Sequence, residues 1–242
     1  MARQAGCHPK TADDLLGDLS SVLTWAKDRG EILQNPAAGF PRIYRVNRAE
    51  IIWEPRHLQL ILAHADPEAA WAINLAAATG LRKGDHIKLP WTAVREKSIV
   101  WQTGKSRGRK TVVIPMTPQL KAALAAIPMR GVTILTSSDG LPWKAPGSGL
   151  ASAIRRARLA VIEHVQMVHG PNASDPLEGL RLHDLRGTAA TFFLQAGIEE
   201  KEVADLLGWD VERVHENAKR YVSADTIAEG CSQLEFKNRR KT

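Results

Sequence analysis

The sequence is poor in tyrosine and cysteine, and it has no long apolar run. Its 242 residues include two tyrosines, Tyr44 and Tyr221, and two cysteines, Cys7 and Cys231. Two cysteines near opposite ends favour neither a disulfide framework nor a metal cluster, and a reducing compartment fits them best. No apolar run approaches the roughly 20 residues that a transmembrane helix requires. The first residues lack the apolar core of a signal peptide, so we expect neither secretion nor membrane insertion.

What the chain has in excess is positive charge. Lys and Arg number 33 against 26 Asp and Glu, which gives a net charge of +7 and an isoelectric point near 9.6. With 44% hydrophobic and 24% charged residues, the composition is that of a globular protein with a sizeable core. The charge suits an anionic partner such as nucleic acid, but charge alone does not separate such proteins from other basic ones.

Proline and glycine divide the chain into a short N-terminal part and a larger domain. Apolar residues at helical spacing predict an amphipathic helix over 11–29. A basic linker with two prolines and a glycine follows it at 35–48. We therefore predict an N-terminal segment over 1–34, a linker over 35–48 and one larger domain over 49–242.

The larger domain is predicted to be mainly α with a small antiparallel β-sheet, an α+β fold. Helical periodicity and capping residues predict helices over 55–65, 67–79, 118–126, 149–166, 184–195, 199–207 and 211–221. Short β-type runs are found at 91–94, 98–101 and 111–114. The last two flank a polar, basic segment, which predicts a hairpin with a cationic tip.

Two segments carry polar groups in turns. Arg82 follows the predicted helix end at Gly80, where glycines let a ligand approach the backbone closely. Alone, this segment is better explained as a helix cap with surface charges. The hairpin tip carries four cations in six residues, which suit a phosphate backbone or simply a solvated loop: Lys105, Arg107, Arg109 and Lys110.

Two further segments lie in the C-terminal helices. His183 and Arg186 are three residues apart in LHDLRGTAAT, so they share one face if both are helical. An arginine fork and a histidine that titrates near neutral pH suit a phosphate site. A histidine satisfied in the core is the alternative. Trp209 in LLGW and Tyr221 in KRYV are, taken alone, more often packing residues.

In this order the four segments resemble the tyrosine recombinase (phage integrase) family, whose catalytic set runs Arg, Lys, His-x-x-Arg, His or Trp, and Tyr. The matching positions are Arg82, Lys105, His183, Arg186, Trp209 and Tyr221. The spacing of 23 between Arg186 and Trp209 is typical of the family, and the spacing of 12 between Trp209 and Tyr221 is longer than its commonest form. Tyr221 is the only tyrosine after His183. Asp85 matches an acidic position that supports the site.

The resemblance implies an enzyme that breaks and rejoins DNA through a 3′-phosphotyrosine intermediate, without a metal or another cofactor. Tyr221 attacks the phosphate, Arg82 and Arg186 hold its oxygens, Lys105 protonates the leaving 5′-oxygen and His183 handles protons near the nucleophile. Trp209 packs the site. Five further cations are expected to contact the DNA backbone: Arg107, Arg109, Lys110, Arg155 and Arg156.

The same resemblance implies double-stranded DNA as partner, a homotetramer in the synapse and possible monomers away from DNA. It also implies a cytoplasmic, nucleoid-associated protein, for example from a prophage. Family members carry a helical core-binding domain before the catalytic one, so we expect 11–29 to be its last helix in an N-terminally truncated chain. Two alternatives stay open, a non-catalytic DNA-binding relic or regulator and a type IB topoisomerase-like enzyme.

Overall fold

The computed structural model describes residues 8–44, 51, 53–104, 110–144 and 149–221. The chain divides into two compact units, Met1–Arg48 and Ala49–Thr242. Several predicted positions lie outside the described residues: Cys7, Lys105, Arg107, Arg109 and Cys231. The structure describes Tyr221 as the last residue of a helix and does not describe its side chain.

The N-terminal unit is a helix against which the following segment folds. Helix α1 spans Pro9–Asp28 and begins two residues before the predicted start, with proline in the first turn, where its missing N–H costs nothing. The buried carboxylate of Asp13 accepts hydrogen bonds from the backbone N–H groups of Ile43 and Tyr44 at 3.2 and 2.8 Å. These two bonds tie the linker to the first turns of α1.

The larger unit is mainly helical with a two-stranded sheet, which confirms the predicted fold class. Strands β1 (Ser98–Gln102) and β2 (Thr111–Pro115) pair antiparallel, with Ile99 opposite Ile114. The α-helices of its described part are α2 (Pro55–Ala63), α3 (Pro67–Thr79), α4 (Lys83–His86), α5 (Pro118–Ala125), α6 (Gly149–His169), α7 (Leu185–Gln195), α8 (Glu200–Leu207) and α9 (Val211–Tyr221).

Two local predictions differ clearly from the structure, and one short helix is not predicted by the sequence. The strand predicted over 91–94 is wrong, because Trp91–Ala93 form a 3₁₀ turn and Val94 makes only an isolated bridge to Ile99. Short β-type runs are weak signals, since tertiary packing decides whether they pair. The four-residue helix α4 has no periodicity to detect. Helix α6 continues three residues beyond its predicted end before Gly170 turns the chain with φ +95°.

Helix α3 is the centre of the core. Its own residues are apolar on nearly all faces, which is typical of a fully buried helix. On one side Leu75 and Ala78 belong to a cluster that includes both strands, α5, α7 and α8. On another side Ile73 and Ala77 belong to a second cluster with α2 and α6. The helix therefore holds its C-terminal end, next to Arg82, in a fixed place.

Arg158 on α6 makes several hydrogen bonds to the segment between α6 and α7. The guanidinium of Arg158 donates to the Asp175 carboxylate, at 2.6 Å from Nη2, and to the carbonyls of Leu177 and Leu180. Leu177 is fully buried beneath these bonds. This fixes the loop that leads into the His183 segment.

Candidate active site

Arg186 is buried where two helices end. It lies in the first turn of α7, and Nη1 donates to the carbonyl of Gly80 at 2.5 Å, while Nη2 donates to the carbonyl of Leu207. Gly80 follows α3, and Leu207 is the last residue of α8. Helix C-termini carry unsatisfied carbonyls and a partial negative charge, so they attract a cation. We call these three residues, Gly80, Arg186 and Leu207, the site floor.

Both helices end in glycine with left-handed backbone, as sequence predicts for Gly80. Gly80 has φ +62°, and a Cβ there would lie 2.5 Å from Leu207 Cδ2 and 3.0 Å from Ala189 Cβ. Gly208 has φ +60°, and a Cβ there would lie 4.0 Å from Arg82 Nη2 and from Lys110 Nζ. The first glycine permits close helix packing, and the second leaves space beside two cations.

A small cavity opens above the floor. It is lined by residues from the α3–α4 turn, the strand ends and the α8–Trp209 turn, among them Arg82, Asp85, Lys110, Arg186 and Gly208. Lys110, predicted from sequence as a DNA-backbone contact, thus lies in the same cavity as the two predicted phosphate-binding arginines. Three cations and one carboxylate around a small space form a site that favours an anion.

Asp85 connects this cavity to the hairpin. Its buried Oδ1 accepts a hydrogen bond from the backbone N–H of Gly104 at 2.8 Å and from Trp101 Nε1 at 3.4 Å. Gly104 directly precedes Lys105 in the sequence. Asp85 therefore fixes the end of the strand from which the hairpin departs.

His183 lies beside the arginines at the entrance to α7. It belongs to the 3₁₀ turn Leu182–Asp184, whose last residue receives a 2.7 Å hydrogen bond from the Arg181 N–H on Oδ2. Its ring is solvent-accessible, yet partial desolvation and then the positive charge of Arg186 lower the pKa of His183 below its usual value. Asp184 opposes that shift. The imidazole is therefore neutral at pH 7 and able to accept a proton.

Trp209 is faced by two arginines. Its backbone N–H donates to the Ala204 carbonyl at 2.9 Å, which sets the ring just after the Gly208 turn. The guanidinium carbon of Arg186 lies 5.8 Å from the ring centroid, and that of Arg213 lies 4.3 Å from it. We call Trp209 and Arg213 the outer wall. Sequence reasoning missed Arg213, because Trp209 precedes α9 and helical spacing does not place the two side chains together.

Positive charge is concentrated at this site. Burial, then repulsion from Arg82 and Arg213, lowers the pKa of Arg186 to about 10, and Asp85 acts in the opposite direction. Arg186 is thus still protonated at neutral pH, although its charged form is costly. Such mutual repulsion is relieved when an anion binds between the cations.

The remaining predicted residues lie elsewhere or outside the described part. Arg155 and Arg156 are exposed on α6, where Arg156 Nη2 pairs with Asp66 Oδ2 at 3.1 Å, and neither lines the cavity. In the described ranges, no cluster of three or more His, Cys, Asp or Glu side chains is arranged to hold a metal ion. None of the helices in that part of the chain is long and apolar enough to cross a membrane.

Comparison with known proteins agrees with this geometry. The sequence profile of the phage integrase family matches residues 52–226. The chain is 28% identical to the tyrosine recombinase XerC of Mycobacterium leprae (strain TN) over 222 residues, which cover 86% of this chain and 71% of that protein. The chain therefore belongs to the phage integrase family, as the order of its motifs indicates.

Solved structures share the fold. Lambda integrase, residues 75–356, as a dimer bound to a COC′ core site, aligns with a TM-score of 0.62 at 20% identity, covering 83% of this chain and 72% of the other. The Tn1549 transposon integrase in complex with a circular intermediate DNA aligns with a TM-score of 0.58 at 15% identity over 94% of this chain and 81% of the other. The larger unit thus has the tyrosine recombinase catalytic fold.

Proposed function

We propose that this protein is a site-specific DNA recombinase that breaks and rejoins DNA strands through a phosphotyrosine bond to Tyr221. The observation that carries the proposal is that Arg82 and Arg186 line one cavity, with His183 near enough for both charges to lower its pKa, in a chain of this family. Arg82 is distant in sequence from His183 and Arg186, and mutual repulsion opposes bringing the two arginines together.

The arginines supply charge stabilisation. Attack on a phosphodiester builds negative charge on the non-bridging oxygens, and preorganised donors aimed at that charge are a large part of catalysis. Arg186 is preorganised because two carbonyls already hold its guanidinium. A guanidinium has five N–H donors, so these two bonds fix its plane without using all of them. Arg82, whose Nη2 would lie 4.0 Å from a Cβ on Gly208, completes the clamp.

The proton transfers take the roles that the family resemblance implies. Tyr221 forms a bond from its phenolic oxygen to phosphorus, while the bond from phosphorus to the 5′-oxygen breaks. The phenol, with a pKa near 10, releases its proton during attack, and neutral His183 accepts it. Lys105 supplies a proton to the departing 5′-oxygen. Rejoining is the reverse, which conserves the bond energy without an external cofactor.

The DNA contacts and the assembly are further parts of the proposal. Arg107, Arg109, Arg155 and Arg156 bind backbone phosphates around the site, a salt-dependent contribution that does not read sequence. Lys110 binds closer to the reacting phosphate, because it shares the cavity with Arg82. Related lambda integrase has been solved as a dimer and as a tetramer bound to a Holliday junction, which supports a tetramer for this chain during strand exchange.

The test uses a pool of nicked duplexes of randomised sequence, so that cleavage releases a short strand and traps the intermediate. We expect an adduct of protein and DNA that resists detergent and is destroyed by protease. Tyr221→Phe removes the attacking oxygen and should abolish it. Tyr44→Phe is the matched control, since it changes the other tyrosine and should leave the adduct yield unchanged.

Three results would contradict the proposal in different ways. Equal adduct yields from the wild type and Tyr221→Phe would place the nucleophile elsewhere. DNA binding without an adduct from any member of the pool would indicate a non-catalytic binding protein. Relaxation of supercoiled plasmid without sequence preference would indicate topoisomerase activity.

A further inference from the structure

The outer wall contains a cation, Arg213, that has no role in the proposed reaction. Arg213 lies in the first turn of α9, where its backbone N–H donates to the Asp210 carbonyl at 3.1 Å. Its side chain is exposed, and its guanidinium carbon lies 4.3 Å from the centroid of the Trp209 ring. An arginine stacked on an indole at this distance is a favourable cation–π pair, and stacking restricts an otherwise flexible side chain.

The position of Arg213 places its charge at the site. The same indole ring has Arg186 at 5.8 Å from its centroid, so two guanidinium groups face one aromatic side chain. The charge of Arg213 lowers the pKa of both Arg186 and His183, which it does only from nearby. The outer wall therefore adds a third guanidinium to the two of Arg82 and Arg186.

We propose that Arg213 is a further phosphate-contacting residue, which Trp209 holds in position so that its guanidinium binds the same DNA phosphate group as Arg82 and Arg186 or the one next to it. This rests on the proposed function, because the anion is taken to be a DNA phosphate. It also gives Trp209 a second purpose beyond packing, since the indole orients Arg213 while its other neighbour is the buried Arg186.

The geometry fits a contact made during binding rather than a fold-stabilising bond. Arg213 is exposed, whereas Arg186 is 5% exposed and bonded to two carbonyls. An exposed guanidinium on an aromatic face keeps its five N–H donors directed outward in a plane, which suits bidentate recognition of phosphate. Lysine offers the charge but neither the plane nor the stacking.

The chain offers a matched control. Arg130 is also stacked on an indole, with its guanidinium carbon 4.9 Å from the Trp71 ring centroid, and it pairs with Glu68 at 2.9 Å. Unlike Arg213, it is not among the charges that lower the pKa of Arg186 or His183. Arg130→Gln therefore removes the same type of side chain and the same charge without touching the site.

Two measurements test the proposal on the full-length chain. The first is the salt dependence of binding to an intact duplex of random sequence, where loss of one phosphate contact reduces the slope of log K against log salt by about 0.9. We expect that reduction for Arg213→Gln and an unchanged slope for Arg213→Lys. The second is the rate of adduct formation on the nicked pool, where we expect both variants to be slower, Arg213→Gln by about tenfold, less than the 10²–10³ of an oxyanion donor.

A neutral methylphosphonate at the scissile position locates the contact. If Arg213 binds that phosphate, Arg213→Gln reduces the rate of adduct formation less on the methylphosphonate strand than on the natural strand. An equal cost on both, together with a reduced salt slope, assigns Arg213 to the adjacent phosphate, which the proposal also allows.

The overturning results are distinct from failure of the proposed function. If Arg213→Gln has the salt slope and adduct rate of Arg130→Gln, the inference is wrong. A lowered melting temperature with an unchanged salt slope would give Arg213 a structural role and overturn it as well. If the wild type forms no adduct, the proposed function fails, and the salt slope still decides whether Arg213 contacts phosphate.

Discussion

The site floor and the outer wall position the same chemical group by different means. In the floor, the Arg186 guanidinium is buried and bonded to the carbonyls of Gly80 and Leu207. In the outer wall, Arg213 is exposed and rests on the Trp209 ring. A cation held by the ends of two core helices cannot move without disturbing the core. A cation on an aromatic face at the surface can change its position at little cost in free energy. The floor therefore suits a rigid contact with a ligand, and the outer wall suits an adaptable one.

The largest difference between the two sides should come from replacing Arg186. Arg186→Ala removes a preorganised donor and leaves two buried carbonyls without it, so adduct formation should fall by on the order of 10²–10³. Arg186→Lys should recover little of this, because lysine lacks the planar fork. Single-turnover adduct rates on the nicked pool measure the effect. A loss no greater than that of Arg213→Gln would mean that the floor is not the main phosphate clamp.

Replacing Gly80, a residue of the site floor, should lower the free energy of unfolding. Gly80→Ala combines a left-handed backbone with a Cβ 2.5 Å from Leu207 Cδ2, and should cost about 2–5 kcal/mol of unfolding free energy. Gly197→Ala is the control, because Gly197 has φ +81° and no atom within 4 Å of the added Cβ. Urea unfolding of both variants separates the two causes, because Gly197→Ala has only the backbone strain and Gly80→Ala has the strain and the steric clash. Equal losses would show that the helix ends are not tightly packed.

Acid should lower the free energy of unfolding through a buried histidine. Burial lowers the pKa of His86 to about 3, and its Nε2 lies 2.6 Å from Thr79 Oγ1. As the pH falls, the unfolded chain therefore binds a proton on His86 near pH 6.5, whereas the folded protein binds it only near pH 3. This group contributes stability above pH 6.5 that falls by about 1.4 kcal/mol per pH unit down to about pH 3.

His86→Asn isolates this contribution. The lowered pKa of His183 acts in the same direction and is present in both proteins, so the difference in slope belongs to His86. Unfolding free energies measured between pH 7 and pH 4 should fall less steeply for the variant. Parallel curves would mean that His86 binds its proton in the folded protein as readily as in the unfolded one.

The smallest effect on stability should come from the exposed cations away from the site. The Arg156–Asp66 pair lies in solvent at 3.1 Å, so Arg156→Ala should change the unfolding free energy by less than about 1 kcal/mol. If Arg156 also binds the DNA backbone, the salt slope should fall by about 0.9. An unchanged slope would remove Arg156 from the proposed DNA contacts.

Sequence patterns predicted the elements better than the contacts between them. The helix over 67–79 is found as Pro67–Thr79, because Pro67 and Gly80 mark its ends directly. The strand over 91–94 is wrong, because packing and not propensity determines whether so short a run pairs.

The predicted site shows the same limit. Family order identified Arg82, His183 and Arg186, but not that Arg186 bonds to Gly80, which precedes it by 106 residues. Arg213 was missed because an exposed arginine on a helix is usually only a solvated charge. Its contact with Trp209 becomes visible once the Gly208 turn is placed in three dimensions.

The burial of α3 has a consequence for the timescale of motion at the site. Amide hydrogens near the end of this helix are enclosed between two apolar clusters, so they should exchange with solvent only when the whole unit unfolds. Exposed residues at the start of α9 have no such enclosure and should exchange through local opening. The exposed start of α9 should then open many times within the lifetime of one folded molecule, while the end of α3 beside Arg82 keeps its shape.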